Sequence, residues 1–194
     1  MGESYEFREG THFTAGTEGA PGQRTFFLQV GDAPGHVSVK LEKDQVAALA
    51  QFLRSVLEDL PVTVPLEDTQ PVPLRQPNVA EWVVGQIAVG VAEAEAEVVV
   101  VVDELVLDDD DDEDDMDLED LEDLLDDDDD DDDDDEMDSF FAPTDRARIR
   151  AHINAAQAAQ FIVTSEALMS AGRPPCRLCG QPLDPRGHAC PRLN

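Results

Sequence analysis

Lysine is nearly missing from this chain. There are two, Lys40 and Lys43, among 194 residues and 13 basic side chains, against 45 aspartates and glutamates, for a formal net charge of -32. That balance disfavours nucleic-acid binding, because phosphate recognition needs clustered cations. No apolar run approaches the ~20 residues of a membrane span, and the valine run that begins at Val98 stops at Asp103. The N-terminus, MGESYEFREG, lacks the basic flank and apolar stretch of a signal peptide. Three cysteines, all between Cys176 and Cys190, are too few for a disulfide framework. Together these absences read as a cytoplasmic protein without membrane attachment, and the length leaves room for one sizeable core.

What the chain has in excess is local. Residues 108–138 hold 25 of the 45 carboxylates and no base, while residues 1–107 are net -11 and residues 139–194 net +4. Uniform charge at that density opposes collapse, so the tract is expected to be a disordered, solvated insertion. Its middle, MDLEDLEDLL, sets Leu118, Leu121, Leu124 and Leu125 at helical spacing. An unknown protein partner with an apolar groove is one functional reading of it, and a role as an acidic nucleic-acid mimic or basic-protein binder is another.

The flanks carry regular periods. Tyr5 and Phe7, then Phe13 and Ala15, alternate with polar residues, and 25–30 (TFFLQV) and 36–41 (HVSVKL) read as strands joined across GDAPG. From Lys43 to Leu60 the period changes. Val46, Leu49, Ala50, Leu53, Leu57 and Leu60 form a helical stripe that Pro61 ends. Five prolines in 61–78 predict an extended connection along the surface. Strands follow at 81–91 and 97–107, and the unbroken valines of the second predict burial on both faces and a central place. After the tract, Arg146, Arg148, Arg150 and His152 alternate with Ala147, Ile149, Ala151 and Ile153. Only a strand gathers such residues onto one face. Asn154 with Gln157 makes a capping box for a last helix that turns Ala158, Phe161, Ile162 and Leu168 inward and ends at Gly172. This order predicts an α+β domain over 1–172, a mostly antiparallel sheet of six to seven strands with two helices, interrupted by the insertion and followed by a metal-binding tail at 173–194.

The tail carries the sharpest motif. Cys176 and Cys179 are spaced C-x-x-C with Gly180 behind them, a turn that brings two thiolates to one ion. The stretch 184–187 (DPRG) turns the chain back to His188 and Cys190, a tighter pair than a usual knuckle offers. Three thiolates and one imidazole complete a closed tetrahedral set, the pattern of structural zinc. A thioredoxin-like redox pair would open a helix in a βαβ unit, whereas this one follows two prolines. Pro175 to Cys179 is also half of a nucleoside-deaminase signature, but no histidine begins an H-x-E, so the general acid/base is missing.

Three segments, AGTEGAPGQRTFFLQV, EKDQVAALA and AGRPPCRLCGQPLDPRGHACPR, resemble an actinobacterial family, domain of unknown function 3090. The likeness spans most of the chain outside the tract. It implies a cytoplasmic protein with a zinc-ribbon-like C-terminus and carries over no catalytic residue. Arg177 stands where a proline is more usual between the cysteines, away from any ligand position.

Weaker features remain. The glycine-rich stretch from Gly16, followed by Arg24, resembles a phosphate cradle but lacks the Lys-Ser/Thr and the helix of a P-loop. A tight connection between strands is the plainer reading. His12, His36 and His152 are expected as exposed strand residues, and Trp82 as a core or edge anchor. The basic face of 146–152 needs counter-anions: local carboxylates such as Glu93 or Glu95, the adjoining aspartates, or an external phosphate. The chain is therefore read as a non-catalytic binding or accessory protein with structural Zn2+ on Cys176, Cys179, His188 and Cys190. The alternative is an enzyme or binder for nucleotides or phosphorylated metabolites, with Arg24, Arg146, Arg148, Arg150 and His152 as its anion-binding residues.

Overall fold

The computed structural model describes residues 2–8, 12–32, 35–92, 97–106, 145–172, 176–181, 183 and 188–193. All but two of these belong to one compact unit. The second unit, Val106–Asp145, contains the acidic tract, and the expected disordered insertion lies outside the described residues.

Strands β1 (Tyr5–Phe7), β2 (His12–Glu18), β3 (Thr25–Gly31) and β4 (Val37–Leu41) precede helix α1 (Lys43–Asp59). Strands β5 (Ala80–Ala92), β6 (Glu97–Glu104) and β7 (Arg148–Asn154) precede helix α2 (Ala155–Ser170). They build one seven-stranded sheet in the order β1-β7-β6-β5-β4-β3-β2, so the fold is α+β as its periods predict. The sheet is mostly antiparallel. Strand β4 runs parallel to β5 because α1 and the proline-rich connection carry the chain back before β5 begins. Strand β1 runs parallel to β7 and forms one edge of the sheet.

Element ends differ slightly from the sequence periods. Strand β6 stops at Glu104 rather than at 107, because the Leu105 N–H turns to the Val83 carbonyl at 2.7 Å beside a register shift at Gly85. Strand β7 begins at Arg148, two residues later than its alternation suggests.

Both helices bury their apolar stripes against one sheet face, where Leu28, Val39, Val100 and Ile149 are fully buried. Helix α1 contributes Val46, Leu49, Ala50, Leu53 and Val56, and Leu57, in its last turn, is half-buried and packs against the same core. The ring of Phe161 in α2 rests on Phe13 with centroids 5.0 Å apart. Trp82 is a core residue, as expected. Val101, on the opposite face of β6, is also fully buried, in keeping with its valine run.

The proline-rich connection covers part of that opposite face and includes one 3-10 turn at Leu66–Asp68. Thr14 Oγ1 donates to the Val72 carbonyl at 2.6 Å, and the Val72 N–H donates to Thr164 Oγ1 at 2.9 Å, so one strap residue is tied to both β2 and α2. A Cβ on Gly16 would strike Leu74, which explains that glycine by close packing rather than by phosphate binding. Gln29, fully buried in the apolar run of β3, anchors the strap. Its Oε1 accepts the Arg75 N–H at 2.7 Å, and its Nε2 donates to Ser38 Oγ at 2.9 Å and to the Arg75 carbonyl at 3.2 Å. His12 donates from Nε2 to the same Oε1 at 2.8 Å and is only 5% exposed. The expectation of an exposed strand histidine fails there, because the strap lies over it.

Candidate metal centre

The tail is organised by its own backbone. The Gly180 N–H donates to the Cys176 carbonyl at 2.9 Å, and the Cys176 N–H donates to the Gln181 carbonyl at 2.7 Å. Gly180 adopts a φ of 76°, a left-handed conformation that favours glycine. The turn brings the Cys176 and Cys179 thiols together, and the return arm adds the other pair. Cys176 Sγ lies 3.9 Å from Cys190 Sγ, and Cys179 Sγ lies 3.7 Å from His188 Nε2. All four ligand atoms fall within 4.8 Å of one another. The tight H-x-C spacing thus reaches the site with both residues. Arg192 closes the arm by donating to the Leu178 carbonyl at 2.8 Å.

The thiols are free and electrostatically unequal. N–H groups of Cys179 and Leu178 point at Cys176 Sγ and lower its pKa to about 6, so this sulfur is largely thiolate near neutrality. Cys179 receives the Gln181 N–H, which acts downward, but burial and the neighbouring thiols outweigh it and raise the pKa. A cation among the sulfurs would reverse that repulsion. The group can hold one metal ion, and no other set of three or more His, Cys, Asp or Glu among the described residues is so placed.

The remaining candidates do not gather into one site. Arg24 donates to the Leu168 carbonyl at 3.3 Å and to the Ala171 carbonyl at 2.5 Å, at the C-terminal end of α2, where a cation offsets the helix dipole. Strand β7 is separated from β3 by β4, β5 and β6, a span of about 19 Å at strand spacing. On β7, Arg148, Arg150 and His152 share one face as the alternation predicts, and the exposed Arg146 precedes the strand. The counter-charges described there come from β6. Arg148 forms a two-pronged pair with Asp103 at 2.6 and 2.7 Å, with side chains 13% and 6% exposed. His152 Nδ1 bonds Glu97 Oε2 at 2.9 Å. Glu93 and Glu95, named as partners from the sequence, lie outside the described residues. The polar cluster of His12, Gln29, Ser38 and Arg75 was not legible as a group, since its members come from four segments. The one signal was a glutamine inside TFFLQV.

These features define a two-layer α+β protein whose C-terminal segment gathers a Cys3His group. Residues 5–190 match the family model described as Protein of unknown function (DUF3090), so the chain belongs to that family. Comparison with curated proteins and with solved structures returned no match. No described helix is long and apolar enough to cross a membrane.

Proposed function

We infer that the protein is a cytoplasmic, non-catalytic binding or accessory protein whose C-terminal segment is locked by a structural zinc ion. The observation that carries this is the convergence of four ligand atoms within 4.8 Å. Zinc–ligand lengths of about 2.3 Å to sulfur and 2.0–2.1 Å to nitrogen imply tetrahedral edges of about 3.8 Å (S–S) and about 3.6 Å (S–N). The 3.9 and 3.7 Å separations match those edges. Four protein ligands leave no position open for substrate or water, which supports a structural role. Free thiols also suit a reducing compartment.

Metal analysis of the reduced, purified chain tests the reading. One zinc per chain is expected, with loss on Cys179→Ser and on acidification, because ligand thiols must give up protons to bind. A folded, reduced sample free of zinc, or one with Cys176 and Cys179 joined as a disulfide, overturns it.

A further inference from the structure

Beside the hairpin between β2 and β3 lies a cleft of about 320 Å³, within the lower range of small-ligand sites. Its floor is apolar, made by Phe26, Leu168 and Met169, and its rim carries Arg24 and Lys43. Two cations from separate elements converging on one cleft are notable in a chain with only 13 basic residues.

The two are held differently. Arg24 uses one N–H from each of its terminal nitrogens on the carbonyls that end α2. A guanidinium has five N–H donors, so three remain for another acceptor. Those two bonds also neutralise the negative end of the helix, which would otherwise repel an anion in the cleft. Lys43 opens α1, and its ammonium has no ion pair or hydrogen bond among the described residues. One fork-shaped cation and one mobile point charge suit a dianion, and an apolar floor suits an organic group attached to it.

We propose that this cleft binds a small organic phosphate monoester, with the phosphate between Arg24 and Lys43 and its organic body on Phe26, Leu168 and Met169. A phosphate monoester carries about -1.5 to -2 charges at neutral pH, against one for a carboxylate. None of the four metal-centre residues lines this cleft. The site retains Arg24 from the anion-binding residues named from the sequence and adds Lys43, which pattern alone did not single out.

Calorimetric titration of the full-length, zinc-loaded chain with phenyl phosphate at constant ionic strength tests this. Saturable binding is expected, with benzoate and inorganic phosphate each weaker, because one lacks the second charge and the other the apolar body. Lys43→Ala should weaken phenyl phosphate about tenfold, the scale of one charge-assisted hydrogen bond. Lys40→Ala should bind as the parent does, since Lys40 lies on β4 and outside the cleft. Both lysines are exposed, and thermal unfolding without ligand verifies that each variant is folded. Absence of saturable binding overturns the proposal. So does equal weakening by the two lysine substitutions, which would mark a diffuse charge effect, or equal binding of inorganic and phenyl phosphate, which would leave the apolar floor without a role.

Discussion

The sheet domain and the cysteine-bearing tail differ sharply in how much apolar surface they bury. In the domain, two helices and seven strands share a continuous apolar core with fully buried residues on nearly every element. In the tail, Cys190 is the one described residue that is buried, while Leu178 and Leu193 are 48% and 71% exposed. A segment this short excludes little water by apolar burial, and in the proposed reading metal ligation by its sulfurs and imidazole would supply what the core does not.

The largest expected effect strikes the domain. Phe161→Ala removes a fully buried ring packed on Phe13 and should cost about 3–5 kcal/mol, seen as a lower urea midpoint. Zinc per folded chain should not change. A zinc loss that tracked this substitution would break the division between the two regions.

Asp103→Ala should come next, at about 3 kcal/mol, because it leaves the Arg148 guanidinium largely desolvated and without its paired carboxylate. Replacing both partners with apolar residues of similar size should recover much of that loss in the same urea assay. If the single substitution costs nothing, the pair on β6 and β7 is a surface contact and no part of the domain's stability.

A smaller effect concerns His12, whose burial holds its pKa below the usual histidine value of about 6.5. As pH falls, the unfolded chain takes the proton first. The stability contributed by neutral His12 is therefore present above that value and is lost as pH falls toward the folded-state pKa. Urea midpoints between pH 7.5 and 5 should decline, and His12→Gln should flatten the decline. An unchanged slope would mean that the strap does not bury this imidazole in solution.

Chelation of the metal should affect the domain least. Hydrogen exchange should quicken in tail residues 176–181 and 188–193, while amides of β3, β6 and α2 keep their protection. Collapse of protection throughout the sheet would show that the tail supports the core and would end the comparison.

Much of the architecture was legible because it depends on local periods. The stripe of α1, the capping box of Asn154 and the alternation of β7 each follow from where side chains point on a helix or a strand, which a few neighbouring residues determine. The C-x-x-C-G turn is legible for the same reason. The burial of His12 and the anchoring of the strap by Gln29 were not, since both depend on a proline-rich connection passing over β2–β4, and no local rule states where an extended segment lies. Gly16 shows how a motif misleads: its glycine-rich setting suggests a phosphate cradle, while its contact with Leu74 requires only the absence of a side chain.

By itself, the sequence determined the kind and order of elements and the ligand types of the tail, because these are properties of short windows. Tertiary structure alone decided that β1 closes the sheet beside β7, that His12 and Gln29 meet Arg75 beneath the strap, and that Arg24 and Lys43 border one cleft. Those are meetings between segments distant in the chain. They are selected by the joint burial of apolar faces and the pairing of backbone groups across the whole fold, and no local pattern encodes them.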